Sequence, residues 1–305
     1  SDCNEFLSSG VRSIVSIDSV LYVGTYGGKV LSSSNYGTTW KDVTAGINCN
    51  SVYEIIEAGD YIFVCTNTKL YRSNKNNINW VVVSSNLYNT VFNCIDFDGN
   101  AIYCGTKYDG VWKSSNFGQT WENLGLLGEN ILSIIKYDKY LFVGSASNHI
   151  YYSTNEGLYW ENMHNFEGDV SRMTIFNNHL IAGTYYESSL SYCSIDNFNI
   201  WSSRYIQDVL SLISFNDFIL IGTRFSGIYI SRDYGSNLTQ INDGFDSFTS
   251  ICSMGYDDEY FYAGALDGLY RQKLNPDFYL TDIDDNIITN TTPTEYKLNQ
   301  NYPNP

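Results

Sequence analysis

An all-β fold built from repeats is what this sequence predicts, and three observations predict it. One phrase recurs along the chain at a near-constant interval, and a run that alternates apolar and polar residues precedes its copies. No stretch of ten or more residues keeps the 3.6-residue period of an amphipathic helix. The phrase LYVGTYGG (21–28) returns as IFVCTNTK (62–69), IYCGTKYDG (102–110), LFVGSASN (141–148), LIAGTYYE (180–187), LIGTRFSG (220–227) and FYAGALDG (261–268). Gly24 anchors the first copy. Its equivalents Cys65, Gly105, Gly144, Gly183, Gly222 and Gly264 follow at intervals of 41, 40, 39, 39, 39 and 42 residues.

Each unit reads as four short strands in order. The first alternates, as in VRSIVSI (11–17), VFNCIDF (91–97) and VLSLISF (209–215), and a polar turn leads to the anchor strand. The third follows a Gly- or Asn-bearing loop, as in GVWKSS (110–115) and GIYISR (227–232), and the fourth carries a Trp, as in TWKDV (39–43) and TWENL (120–124). Seven units of this kind, each about forty residues long, predict a single seven-bladed β-propeller over residues 1–274. The seventh unit (248–274) stops after three strands, and NEFLSSG (4–10) aligns with WKDVTAG (40–46). The N-terminal strand is therefore expected to complete blade seven and close the ring, which leaves no open sheet edge at the seam.

A second phrase recurs between the third and fourth strands: SSNYGTTW (33–40), SSNFGQTW (114–121) and STNEGLYW (153–160), with divergent copies at 73–80, 194–201 and 231–238. It resembles the Asp-box, or bacterial neuraminidase repeat, S-x-D/N-x-G-x-x-W. The residues concerned are Ser33, Asn35, Gly37 and Trp40; Ser114, Asn116, Gly118 and Trp121; Ser153, Asn155, Gly157 and Trp160; Asp196 and Trp201; and Asp233 and Gly235. Local chemistry gives them a structural role. Asn or Asp folds back on its own backbone, Gly takes positive φ, and the indole covers the hairpin. Propellers with this repeat include sialidases, xyloglucanases, sortilin-like receptor ectodomains and the photosystem II assembly-factor-like family, so the resemblance implies a fold more than an activity.

Past residue 274 comes a polar linker (275–294), then EYKLNQNYPNP (295–305). These last residues resemble the opening of the C-terminal sorting domain of type IX secretion cargo, in which Y-x-L-x-Q-N-Y-P-N-P leads into a small β-sandwich. The resemblance implies a truncated sorting domain, a partner in the type IX machinery, and a protein secreted from, or held on the surface of, a Bacteroidetes-type cell. A chain that starts at Ser1 fits a removed signal peptide or a fragment.

With 33 acidic against 17 basic residues the net charge is -16, which disfavours nucleic acid and anionic membrane surfaces as partners. No apolar run reaches the ~20 residues of a membrane span, so no membrane insertion is expected. The seven cysteines show no metal-ligand spacing and are expected to be mostly free, with Cys65 and Cys104 the pair to test. His149, His164 and His179 lack HxH or HExxH spacing, and Asp282, Asp284 and Asp285 lack the Gly and Glu of a calcium loop, so no metal or cofactor is expected.

Strand alternation puts the second-to-third and fourth-to-first loops on one face. That face is expected to bind, through Tyr26, Lys107, Tyr108, Asp109, Tyr185, Tyr186, Glu187, Arg224, Phe225 and Asp267, with His149 nearby. Aromatic rings beside charged groups suit sugar stacking or a protein hot spot. The function expected is therefore non-enzymatic binding of glycan or extracellular protein by a monomer. The alternatives are a secreted glycoside hydrolase and a protein-docking assembly scaffold. A sialidase is disfavoured, because none of the seven arginines lies in that family's R-I-P motif. A two-carboxylate hydrolase needs acids ~5–9.5 Å apart, and Asp109, Glu187 and Asp267 come from blades three, five and seven.

Overall fold

The computed structural model describes residues 7, 9–84, 87, 90–186, 189–206, 208–242 and 249–274, together with the backbone of 299–300. Blade one is β1 (Val11–Ile17), β2 (Val20–Thr25), β3 (Val30–Ser33) and β4 (Lys41–Asp42), and blade two is β5 (Val52–Ala58), β6 (Tyr61–Thr66), β7 (Leu70–Asn74) and β8 (Asn77–Val82). Blade three is β9 (Phe92–Phe97), β10 (Ile102–Thr106), β11 (Val111–Ser114) and β12 (Glu122–Asn123), and blade four is β13 (Ile131–Tyr137), β14 (Tyr140–Ser145), β15 (His149–Ser153) and β16 (Glu161–Asn165). Blade five is β17 (Asp169–Phe176), β18 (His179–Tyr185), β19 (Ser189–Ser194) and β20 (Asn197–Tyr205), and blade six is β21 (Val209–Phe215), β22 (Phe218–Thr223), β23 (Ile228–Ser231) and β24 (Thr239–Gln240). Blade seven is β25 (Ile251–Tyr256), β26 (Tyr260–Ala265), β27 (Gly268–Lys273) and β28 (Asn299–Gln300).

Each blade is an antiparallel four-stranded meander, and the first strands of neighbouring blades pack side by side around an axis, with β25 returning to β1. The fold is thus the seven-bladed β-propeller that the repeat predicts. Its core is not central. Seven apolar clusters lie between blades, and one of them joins Ile17, Tyr22 and Val30 of blade one to Val52, Val64 and Trp80 of blade two.

The anchor glycines have a packing reason. A Cβ built on Gly24 would lie 2.3 Å from Cγ1 of Val52, one on Gly183 would lie 2.5 Å from Cγ1 of Val209, and one on Gly264 would lie 2.6 Å from Cγ1 of Val11. At each of these glycines the second strand therefore receives a β-branched residue of the next blade where only hydrogen fits, whereas blade two carries Cys65 at the equivalent position.

Every first strand also carries a register shift near its start, as between Val11 and Ser13 or Val52 and Glu54. The side chains at this bulge bridge to the next blade's backbone. Ser13 Oγ accepts from Ile55 N–H at 2.9 Å, and Glu54 Oε2 accepts from Ile95 N–H at 2.8 Å. Asn93 Nδ2 donates to the Ile131 carbonyl, Ser133 Oγ to Val170, Ser171 Oγ to Val209 and Ser211 Oγ to Ile251. Ser253 Oγ closes the circle on the Val11 carbonyl at 3.3 Å.

The repeated turns hold as local chemistry requires. Asn35 Oδ1 accepts from Thr39 N–H at 2.9 Å, Ser33 Oγ accepts from Gly37 N–H at 2.8 Å, and Gly37 sits at φ 79°. Asn116 and Asn155 repeat these bonds. The indoles differ from expectation, because they reach back to the preceding blade. The indole N–H groups of Trp80, Trp121 and Trp160 donate to the carbonyls of Val43, Val83 and Leu124 at 2.7, 2.8 and 2.7 Å. The strand β4 begins only at Lys41, after Trp40.

Blade closure also differs in part from expectation. Leu7 takes the place equivalent to Val43, buried among Val11, Leu31, Tyr262 and Leu269. The hydrogen-bonded fourth strand, however, is β28, whose Gln300 and Asn299 pair with Tyr270 and Arg271. The described part of 4–10 turns instead of running on as a strand. Gly10 N–H bonds the Leu7 carbonyl at 3.0 Å, with Gly10 at φ 87°. Trp40 packs against this cluster, and its buried indole N–H has no hydrogen-bond partner among the described residues.

Candidate functional site

The face carrying the second-to-third loops brings four of the expected residues together between blades five and six. Tyr185 and Tyr186 meet edge to face at 4.2 Å, and the Arg224 guanidinium lies 5.4 Å from the Tyr185 ring and 5.0 Å from the Phe225 ring. Tyr186 is 68% and Phe225 46% exposed, so two rings face solvent, with the cation lying over the second of them.

Asp208, which sequence reasoning missed, organises the platform. It accepts from Tyr186 N–H at 2.9 Å and lies 3.4 Å from the Arg224 guanidinium, and its carbonyl accepts from Arg224 N–H at 3.0 Å. Tyr186 is held at φ 76°, a backbone conformation that costs a non-glycine residue of order 1–3 kcal/mol and recurs at ligand sites. The signal for Asp208 was its place in the fourth-to-first loop, on the same face.

The remaining expected residues do not join this platform. Lys107 lies over the exposed Tyr108 ring at 5.1 Å, two blades away. Asp109 is engaged within blade three and its entry, its carboxylate accepting from Thr90 Oγ1 and its carbonyl from Asn123 Nδ2. Asp267 accepts the Tyr270 hydroxyl at 2.8 Å. Glu187 lies outside the described residues. His149 pairs with the Tyr151 hydroxyl, which also donates to Glu129. Among the described residues no group of three or more His, Cys, Asp or Glu is placed to hold a metal, and the six described cysteines are free thiols.

Tyr26 belongs to a different place, the mouth of the axial channel. The Arg12 guanidinium lies 5.1 Å from its ring and 4.0 Å from that of Tyr53. Below them is a cavity of about 190 Å³, lined among others by Arg12, Glu54, Asn93, Arg172, Ser211 and Cys252. Burial, with Cys252 close by, pushes the Tyr26 hydroxyl up to about 12. Burial also raises Glu54 to about 7, opposed by its bond from Ile95 N–H and by Arg172 and Arg12. Sequence alternation alone misses this set because the bulge turns consecutive side chains toward the channel. The signal was the recurring small polar residue at Ser13, Ser133, Ser211 and Ser253, replaced by Glu54 and Arg172 in blades two and five.

The opposite face holds an aromatic recess of about 370 Å³ lined by Tyr140, Tyr152, Glu161 and Phe198. Its rings pack on one another, with Tyr140 and Tyr152 at 5.4 and 5.0 Å from Phe198. They tie the turn between β19 and β20 of blade five to strands of blade four.

No family model matches the sequence, and no curated protein matches it. Solved structures do resemble the fold. The extracellular domain of the one-component system BT4673 from B. thetaiotaomicron superposes with a TM-score of 0.73 at 16% identity over 88% of this chain, which spans 38% of that one. YCF48 bound to D1 peptide gives 0.72 at 12% identity, covering 88% of this chain and 94% of that one. The GH74 enzyme of Niastella koreensis gives 0.68 at 15% identity, covering 86% and 52%. At such identities the likeness establishes the architecture alone.

Proposed function

We propose that this chain is a secreted, non-enzymatic binding propeller that takes glycan or protein ligands through the face carrying the second-to-third loops. The observation that carries the reading is the platform of Tyr185, Tyr186, Arg224 and Phe225 braced by Asp208. Exposed rings beside a fixed guanidinium can stack on a sugar or seat an aromatic side chain while hydrogen-bonding a polar neighbour. The structural neighbours support a binding role, since they include an extracellular domain and a propeller with a bound peptide. The resemblance of Tyr296–Pro305 to a type IX sorting signal supports export to the surface of a Bacteroidetes-type cell.

A glycoside hydrolase is the second reading, favoured by the GH74 neighbour and by a carboxyl raised to about 7 at Glu54. It lacks a partner acid, for Glu54 is the one carboxylate among the described residues that line the channel cavity. The test is a glycan array and a panel of extracellular proteins probed with wild type, Tyr186→Ala and Arg224→Ala, with reducing-sugar release measured on each glycan bound. Binding without turnover that both variants weaken supports the proposal. Sugar release, or binding indifferent to both substitutions, overturns it.

A further inference from the structure

We infer that the axial channel is a binding site for a small organic acid, whose carboxylate is clamped by Arg12 and Arg172. The inference concerns the channel and not the blade five–six platform, so each stands or falls separately.

Both guanidinium groups line the same cavity, and neither makes a salt bridge among the described residues. Arg12 donates only a long bond to Ser51 Oγ at 3.4 Å, and Arg172 donates to the adjacent Ser171 carbonyl at 2.7 Å. Two mutually repelling cations have therefore been brought into a recessed channel in a chain whose net charge is -16. With Glu54 the one carboxylate among the described residues that line the cavity, their burial is at most partly compensated, and an entering anion relieves the cost. The planar fork of arginine matches a carboxylate through two parallel N–H bonds. Asn93, Ser211 and the ring of Tyr53 also line the space, giving hydroxyl-bonding partners and an apolar wall. A volume of about 190 Å³ holds roughly six waters at ~30 Å³ each, which suits an acid of about monosaccharide size and excludes a polymer segment.

Glu54 is the internal competitor. The charged and titratable groups around it are Arg12 of β1, Arg172 of β17, Asp96 and Cys94 of β9, Cys65 of β6 and Cys104 of β10. Protonated, Glu54 leaves both arginines uncompensated. Ionised, it neutralises part of their field, so the acid binds more tightly below neutrality than above it.

The probes are glucuronate, its neutral counterpart glucose, and inorganic phosphate, titrated calorimetrically at pH 6 and pH 8 into wild type and the Arg172→Gln, Arg12→Gln and Glu54→Gln variants. Melting curves check folding, and Arg172→Gln keeps the test alive if Arg12→Gln does not fold. Glucuronate is expected to bind once per chain in preference to glucose and phosphate. Either arginine substitution is expected to weaken it at least about tenfold, the scale of one charged hydrogen bond. Wild type binds more tightly at pH 6, and Glu54→Gln removes that difference. No glucuronate binding at millimolar concentration, equal binding of glucose, preference for phosphate, or full binding by Arg172→Gln would each overturn the inference. Array binding that survives loss of the channel site, or the reverse, separates its failure from that of the platform.

Discussion

Replacing Glu54 with Gln should change how stability responds to pH, by an amount the structure sets. The carboxyl rises from 4.5 to about 7 in the folded chain, chiefly because burial penalises its charged form. At ~1.36 kcal/mol per pKa unit, that difference amounts to about 3 kcal/mol. Part of the side chain still meets channel water, so the figure is an upper value. The folded state holds the proton more tightly than the unfolded chain. The stabilisation is therefore complete below pH 4.5, falls as pH rises, and is lost above about 7. Gln keeps an acceptor for Ile95 N–H, which Glu54 engages at 2.8 Å, and carries no charge. Urea unfolding at intervals from pH 5 to pH 8 measures both proteins. Wild type should lose up to about 3 kcal/mol relative to Glu54→Gln across that range, with the variant the more stable at pH 8. Asp96, also raised by burial, contributes to the pH dependence of both proteins. A wild-type curve parallel to the variant's would refute the reasoning.

The inter-blade indole bond predicts that Trp121→Phe, which strips the donor from the Val83 carbonyl, destabilises by about 1–3 kcal/mol in urea unfolding. In the turn below it, Asn116→Ala should cost about 1 kcal/mol by freeing Thr120 N–H, whereas Asn116→Asp should be near neutral, because Asp233 fills the same role toward Asn237. Ending the chain at Leu274 removes β28, so hydrogen exchange should rise at Tyr270 and Arg271 and stay unchanged in β25; unchanged exchange at 270–271 would deny the pairing.

The forty-residue period made most of the architecture legible. A repeated anchor glycine and a repeated turn have local causes, a Cβ that would strike Val52 or Val209 and an Asn that must fold back on its own backbone. β1 and β21 span the residues that alternation assigns, Val11–Ile17 and Val209–Phe215. What the pattern could not show depends on contacts between units. The indoles of Trp80 and Trp121 bond across to the preceding blade, a direction no single repeat encodes. Pairing of Asn299–Gln300 with blade seven joins segments that lie about thirty residues apart with no periodic relation. Of the candidate site, Tyr185, Tyr186, Arg224 and Phe225 were legible from loop position, but Asp208 and the channel trio of Arg12, Glu54 and Arg172 were not. A bulge shifts the inner strands by one residue, so strict alternation assigns those side chains to the wrong surface.

Every surface assigned above depends on blade seven sealing against blade one, which a double-mutant cycle between Gly264 and Val11 reads most directly. A Cβ on Gly264 would lie 2.6 Å from Val11 Cγ1 across the seam and 2.4 Å from Ser253 Oγ within its own blade. Gly264→Ala alone should destabilise by about 1–3 kcal/mol, and much of that loss should vanish in a Val11→Ala background, giving a coupling of about 1 kcal/mol or more. Strictly additive effects of the two substitutions would mean that these residues, 253 positions apart in the chain, do not touch, and that the ring is not closed where the structure closes it.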